Sequence, residues 1–226
     1  MGLKEDLKSL GDEERAKILQ RFFKTGPGEY GEGDKFLGVV VPETRKVAKK
    51  HLDLSLGEIE ELLQSEIHEV RLAALLILVE KYKKTKDKEI VDFYLKNTSR
   101  INNWDLVDLT AHKILGDYLL DRDKGVLYSL AKSDNLWERR ISIIATFAFI
   151  DERRFEDSLK LSEMLLNDKH DLIHKAVGWV LREIGKKDQE VEEVFLRKHH
   201  KEMPRTMLRY SIEKFSEEKR KFYMKK

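Results

Sequence analysis

A repeat of helix pairs, with a period near 35 residues, constrains this chain more than any other feature. Apolar residues follow helical spacing almost throughout, and strand-like alternation is nearly absent. From Arg71, steps of 34 or 35 residues reach Asp105, Arg140, Lys175 and Arg209, each in the first turns of an apolar-striped helix. Self-similarity at this period is typical of α-solenoids of HEAT-like pairs. We therefore expect an all-α fold, a solenoid of about six pairs whose second helices line a concave surface. An ordinary helical bundle is the alternative.

Polar breaks separate the two helices of each unit. They cover residues 99–103, 132–135 and 167–171, and their Asn and Asp residues are the expected helix N-caps. The N-terminal part departs from this rhythm, because residues 25–38 hold five of the 12 glycines. We expect a single domain over 1–226, with N-terminal helices and a glycine-rich loop over 1–41 and regular repeats over 42–226. A new helix is expected to start at Pro42.

The glycine-rich segment does not fit a nucleotide site. It lacks the Gly-Lys-Ser/Thr ending of a phosphate-binding loop, and no strand precedes it. Tyr30 and Lys35 would suit a flap over a ligand, but a plain surface loop is the better interpretation.

Composition excludes several classes of function. The 226 residues contain no cysteine, so disulfides, thiolate metal sites and thiol nucleophiles are absent. The longest purely apolar run, residues 73–79, is far shorter than the ~20 residues of a membrane helix. Without an apolar signal core near the N-terminus, we expect a cytoplasmic protein. With 44 Lys and Arg against 42 Asp and Glu, the net charge of +2 does not itself indicate nucleic acid.

Two of the three tryptophans are candidate contact residues. The helix after Asp171 is expected to have its core stripe along Ile173, Ala176, Val177, Val180 and Ile184. Trp179 lies about 120° from the centre of that stripe, and it shares its side with Lys175, Arg182 and Lys186. An aromatic ring among cations suits contact with sugar or base while the cations meet phosphates. Packing on the next repeat is the alternative. Trp137, in contrast, continues the apolar line of its own helix and is expected in the core.

A single carboxylate stands out beside Trp104. The helix that begins at Trp104 is expected to have its apolar stripe along Val107, Ala111, Ile114, Leu115 and Tyr118. Asp108 lies about 40° from Trp104 and about 20° from Leu115 in helical projection, so it borders this stripe. Because burying an unpaired carboxylate is costly, Asp108 has either a functional role or a structural ion pair, for which Arg140 is the obvious candidate. Asp105 lies in the first helical turn, where an acid favours the helix dipole. Arg140 borders the stripe of its own helix and suits bidentate phosphate recognition.

Histidine spacing does not indicate a metal site. His170 and His174 are four residues apart, but the Glu of a His-Glu-x-x-His motif and a third ligand are missing. No metal is therefore expected.

Four ordered sequence blocks together resemble the AlkD-like DNA alkylation-repair glycosylases. They are Phe-Leu-Gly-Val-Val-Val-Pro-Glu at 36–43, Trp-Asp-Leu-Val-Asp at 104–108, Asp-Asn-Leu-Trp-Glu-Arg-Arg at 134–140 and Ala-Val-Gly-Trp-Val-Leu-Arg-Glu at 176–183. The resemblance extends from about residue 35 to about residue 205, which is most of the chain.

The resemblance implies a HEAT-like solenoid that holds duplex DNA and removes cationic N3- and N7-alkylated purines without base flipping, metal or cofactor. By motif position, Asp108 is the catalytic carboxylate, Trp104 and Trp179 flank the lesion sugar, and Arg140 holds a phosphate. The family also has an aromatic residue in an early helix, for which Tyr30 is a positional guess. The protein is expected to act as a monomer on double-stranded DNA with alkylated bases. Further expected contacts to the DNA backbone are Arg71, Lys175, Arg182, Arg205 and Arg209.

Two other functions use the same features. A non-catalytic module that binds bent or branched DNA would keep the basic residues but would have no use for Asp108. A protein-interaction scaffold, a common use of HEAT arrays, would bind acidic peptides instead.

Overall fold

The computed structural model describes residues 2–225. Over that range the chain is helical, with one isolated parallel bridge between Lys35 and Ile67, so the all-α prediction is confirmed. Residue packing divides the chain into two compact units, the first ending at Thr110 and the second beginning at Ala111. The single domain expected from the sequence stays a prediction. None of the helices within 2–225 is long and apolar enough to cross a bilayer.

The first unit consists of seven α-helices and a 3₁₀ turn at Thr98–Arg100 within the described residues. The helices are α1 (Leu3–Lys8), α2 (Glu13–Phe22), α3 (Val41–Lys50), α4 (Leu56–Leu63), α5 (His68–Thr85), α6 (Lys88–Lys96) and α7 (Trp104–Asp108).

Helix α5 forms the centre of this unit. Helices α3, α4 and α7 pack against it, and every residue from 68 to 79 is buried. The apolar stripe of this helix, Leu72, Leu75, Leu76 and Val79, is among them. Pro42 lies in the first turn of α3, as expected from the sequence.

The second unit contains α8 (Asp117–Leu119), α9 (Gly125–Leu130), α10 (Leu136–Ala145), α11 (Phe147–Asp151), α12 (Glu156–Met164), α13 (Asp171–Lys187), α14 (Gln189–His199), α15 (Arg205–Ser211) and α16 (Glu217–Met224). A π-helical segment at His112–Gly116 precedes α8, and a 3₁₀ turn at Ile212–Lys214 follows α15.

Helix α13 forms the centre of the second unit. Helices α10, α14 and α15 pack against it, so the second helices of successive repeats adjoin there. Its predicted stripe is fully buried, which confirms the helical register; the residues are Ile173, Ala176, Val177, Val180 and Ile184. At Gly178 an added Cβ would stand 2.5 Å from the Met207 carbonyl, so the close approach of α15 requires glycine there.

The polar breaks cap helices as predicted in two of three cases. Asn103 and Asn135 accept backbone hydrogen bonds at the starts of α7 and α10. At the third break His170, and not an Asn or Asp, caps α13, since its Nδ1 accepts from the amide of Leu172 at 3.2 Å.

The helix expected to run unbroken from Trp104 to Tyr118 is interrupted after Asp108. Leu109 and Thr110 form a turn, and the chain continues as the π-helical segment. The buried Thr110 hydroxyl donates to the Leu106 carbonyl at 2.5 Å, a back-bond that bends helices. Of the expected core positions along this stretch, Val107, Ala111, Ile114 and Leu115 are nonetheless buried, whereas Tyr118 is only half-buried.

Candidate functional site

Trp104 lies in an aromatic cluster at the start of α7. Its ring stacks on Phe23 with centroids 5.0 Å apart and an interplanar angle of 18°. Phe22 meets Trp104 edge-on at 5.8 Å. Phe23 is only 7% exposed, whereas Phe22, the last residue of α2, is 60% exposed and Trp104 is half-buried. Phe22 and Trp104 therefore form a solvent-accessible aromatic surface.

Asp108 lies on the same side of α7 as Trp104, four residues further on. Its side chain is half-buried. Burial and the negative charge of Asp108 raise the pKa of Tyr94 above its ordinary value, against the lowering effect of the hydrogen bond with Thr110. The Asp108 carboxylate is thus near the apolar core and beside the aromatic surface, where a charge is less screened than in open water.

The start of α7 is held by two buried polar side chains. Asn103 Oδ1 accepts from the Trp104 amide at 2.8 Å, and its Nδ2 donates to Asp34 at 3.3 Å. Asp105 Oδ2 pairs with His68 Nε2 at 2.8 Å. The interpretation that Asp105 only favours the helix dipole was wrong, because its side chain is also buried in an ion pair with His68.

Arg71 does not lie where a DNA phosphate could reach it. Its side chain is 1% exposed, and its guanidinium donates to Asp34 at 2.7 Å and to the Ser65 carbonyl at 2.8 Å. The prediction that Arg71 contacts the DNA backbone is therefore corrected: its role is to neutralise Asp34 inside the first unit.

Phe22 was missed by the sequence analysis, which looked for the early aromatic residue at Tyr30. The Tyr30 hydroxyl donates to the Phe22 carbonyl at 3.5 Å, whereas the Phe22 ring itself contacts Trp104. The available signal was the pair of adjacent aromatic residues at the end of α2. Adjacent residues point about 100° apart on a helix, so such a pair can bury one ring and expose the other, as Phe23 and Phe22 do here.

Trp179 lies on α13 in the second unit. Its ring packs on Phe147 with centroids 4.6 Å apart, and its indole Nε1 donates to Glu183 at 3.2 Å. The side chain is half-buried, so one part of the ring packs inside the unit while another part is accessible. Trp179 can therefore pack inside the second unit and also present part of its ring to a ligand.

The cations around Trp179 are paired with acids. Arg182 pairs with Glu213 and Glu183, and Lys186 pairs with Glu183 at 2.8 Å. Lys175, one turn before Trp179, pairs with Asp171 at 2.7 Å, with both side chains partly exposed. An incoming phosphate would have to compete with these carboxylates.

Arg140 is buried, whereas the sequence predicted that it would reach outward to a phosphate. It is 4% exposed, and its guanidinium donates to the Leu172 carbonyl at 2.6 Å. Arg140 thus fixes the first turn of α13 against α10, and a phosphate contact does not fit this conformation. On the same helix, Trp137 is buried, as predicted.

Arg205 and Arg209, on α15, are both exposed. Arg205 donates to the Met224 carbonyl at 2.8 Å. These two are the predicted backbone-contacting cations with the greatest access to solvent.

The two histidines with metal-like spacing have other roles. His170 caps α13, and His174 Nε2 lies 2.5 Å from the Asp168 carbonyl oxygen. Within 2–225 the structure contains no group of three or more His, Asp or Glu side chains that could hold a metal ion.

The fold places this protein in the class of helical-repeat proteins. Its candidate site is a surface where a carboxylate, Asp108, lies near accessible aromatic rings. The family model described as DNA alkylation repair enzyme matches residues 3–215, and the chain belongs to that family. The family indicated by the four sequence blocks is thereby confirmed. No curated protein sequence matches the chain.

Solved structures confirm the fold class. A predicted DNA alkylation repair enzyme from Enterococcus faecalis superposes with a TM-score of 0.74 at 18% identity, covering 92% of this chain and 97% of its own. AlkD2 from Streptococcus mutans gives a TM-score of 0.55 at 20% identity, with 96% and 100% covered. The protein smu.31 from Streptococcus mutans UA159 gives 0.51 at 21% identity, with 93% and 96% covered. At these identities the likeness shows the fold alone, the HEAT-like α-solenoid.

Proposed function

We propose that this protein is a DNA glycosylase that hydrolyses the N-glycosidic bond of cationic alkylated purines in duplex DNA. The observation that carries the proposal is that the half-buried Asp108 lies on the same side of α7 as the accessible Trp104 ring, which Phe22 contacts edge-on. Membership of the DNA alkylation repair family supports alkylated DNA as the substrate.

The chemistry of the lesion makes one carboxylate sufficient. A purine alkylated at N3 or N7 carries a positive charge and leaves as a neutral base, so no general acid is required. The barrier lies in the positive charge that develops on the deoxyribose. A carboxylate ~4 Å away, at an effective dielectric constant of about 20, contributes about 4 kcal/mol, or about a thousandfold in rate if it acts only in the transition state. Asp108 is the residue proposed for this role, and it also suits orientation or deprotonation of the attacking water.

The aromatic surface favours a cationic nucleotide. The face of an aromatic ring attracts cations, with about 0.5–2 kcal/mol per contact depending on exposure. Phe22 and Trp104 would therefore select an alkylated nucleotide over neutral neighbours. Because these rings are accessible at the surface, they suit contact with a nucleotide that stays in the helix, without base flipping.

The remaining contacts of the proposal follow from exposure. Arg205 and Arg209 are proposed to meet backbone phosphates, and Lys175 and Arg182 would do so by exchanging their acidic partners for phosphate. Trp179 is proposed as a further substrate contact in the second unit. The residues given roles in this mechanism need neither metal nor cofactor.

The test is release of free base from methylated duplex DNA by the full chain with a chelator present. We expect 7-methylguanine or 3-methyladenine to be released, detected by chromatography and mass spectrometry, and no release from undamaged duplex. Salt-dependent binding without release would indicate a non-catalytic DNA-binding module. Absence of binding would indicate a protein-interaction scaffold.

A further inference from the structure

His68, the first residue of α5, lies between two carboxylates in the core of the first unit. Its Nδ1 is 3.2 Å from Asp34 Oδ2, and its Nε2 is 2.8 Å from Asp105 Oδ2. The imidazole is 2% exposed. Asp34 lies in the glycine-rich segment, and Asp105 is the second residue of α7, so one ring joins two segments 71 positions apart in the sequence.

This geometry requires the imidazolium form. Neutral histidine has one N–H donor, and its other nitrogen would turn a lone pair toward a buried carboxylate. The groups facing the ring balance its charge: Asp34 and Asp105 are negative, and Arg71 pairs with Asp34. Burial opposes protonation, but the charge and hydrogen bond of Asp105, together with Asp34, raise the pKa of His68 to about 9.

The same groups hold Asp34 ionised. Burial opposes its charge, but hydrogen bonds from His68 and Asn103 and the charge of Arg71 lower the pKa of the Asp34 carboxyl below its ordinary value. Two cations and two carboxylates therefore form a closed, neutral cluster. Breaking one contact leaves a buried charge without its partner.

The segment held by this cluster carries the proposed chemistry. Helix α7 has five residues, too few to be stable by itself, and Asp105 lies between Trp104 and Asp108. The His68 ring also packs against aromatic rings. It stacks on Phe36 with centroids 4.5 Å apart and contacts Phe23 at 5.1 Å, and Phe23 in turn stacks on Trp104.

We propose that His68 is a positioning residue, which as an imidazolium joins Asp34 to Asp105 and thereby fixes Trp104 and Asp108 for the reaction. The inference rests on the proposed glycosylase function for its catalytic consequence. Its structural part, that His68 holds α7, stands independently of activity.

The experiment compares His68→Gln with His51→Gln in the full chain. His51 is a matched control because its Nε2 also pairs with a carboxylate of the first unit at 2.8 Å, but that carboxylate, Asp6, belongs to α1 and not to α7. Three quantities are measured: imidazole titration by nitrogen NMR, hydrogen exchange of the α7 amides, and single-turnover release of 7-methylguanine alongside affinity for undamaged duplex.

In wild type we expect both His68 nitrogens to be protonated at pH 7 and the imidazolium to lose one proton near pH 9. His68→Gln should lose protection at α7 and slow base release by about tenfold to a hundredfold, the scale of a misplaced catalytic group, with binding to undamaged duplex within about twofold. His51→Gln should retain wild-type protection at α7 and wild-type release.

Two results would overturn the inference: a His68 imidazole that is neutral at pH 7, or α7 protection unchanged in His68→Gln. Unchanged release by that variant would overturn its catalytic part while leaving the proposed glycosylase function intact. If wild type releases no base, the proposed function fails, and NMR and hydrogen exchange still decide whether His68 holds α7. Should His68→Gln not fold, Asp105→Asn tests the same link: the His68 titration should move from about 9 toward 6.5.

Discussion

Substitutions of Phe22 and of its neighbour Phe23 separate an effect on DNA contact from an effect on folding stability. Phe22 is 60% exposed and Phe23 is 7% exposed, although both rings contact Trp104. Phe22→Ala removes two edge-on aromatic contacts, to Trp104 and Phe23, but little buried area, so we expect a loss of about 1–2 kcal/mol in unfolding free energy. Phe23→Ala removes a core ring and should cost about 3–5 kcal/mol.

The expected effect on DNA is the reverse of the effect on stability. Stacking of a base on an exposed aromatic ring contributes about 1–3 kcal/mol, which corresponds to roughly 5-fold to 150-fold in affinity or rate. Phe22→Ala should therefore lower the single-turnover rate of 7-methylguanine release by a factor in this range, and the rate of Phe22→Tyr should stay close to that of wild type.

The assay combines urea unfolding with single-turnover release from the same methylated duplex. Wild-type release by Phe22→Ala would refute the interpretation of Phe22 as a substrate contact. Destabilisation equal to that of Phe23→Ala would refute the interpretation of its ring as surface.

Three further predictions concern pH and salt. The pKa of His68 is raised from 6.5 to about 9, so its stabilising contribution is complete below pH 6.5 and should be lost as pH rises through about 9. Urea unfolding of wild type should show this loss, and an unfolding free energy that does not change with pH over this range would contradict the prediction. Burial, with the charge of Glu193, raises the pKa of Glu192 from 4.5 to about 9, so Glu192→Gln should stabilise the protein by up to about 3 kcal/mol at pH 7 and by almost nothing at pH 4. Equal stability of that variant and wild type at both pH values would show that the carboxyl is not neutral in the folded protein. Arg209→Ala should reduce the slope of log affinity against log salt for duplex DNA by about 0.9, and an unchanged slope would place the DNA elsewhere.

The helices were predictable from the sequence because their signals are local. The period near 35 residues depends on apolar spacing within each helix, and every step of it, from Arg71 to Arg209, falls inside a helix. The caps at Asn103 and Asn135 were found for the same reason, since a cap acts on amides one or two positions away.

The site was only partly predictable because its supports are not local. Arg71 was placed on the surface because the sequence does not show that Asp34, 37 positions away, neutralises it in the core. His68 carried no signal for the same reason. The projection that placed Asp108 beside Leu115 assumed a regular helix. In the structure that helix is interrupted after Asp108, where the Thr110 hydroxyl bonds back to the Leu106 carbonyl.

The central claim is that Asp108 performs the chemistry, and single-turnover base release by Asp108→Asn tests it most directly. The control is Asp92→Asn, an exposed acid of the first unit that pairs with Lys88 on the surface of α6. We expect Asp108→Asn to lose about a thousandfold in the rate of 7-methylguanine release, from an electrostatic contribution of about 4 kcal/mol, while duplex binding and the Asp92→Asn rate stay at wild-type values. Release by Asp108→Asn at the wild-type rate would contradict the account.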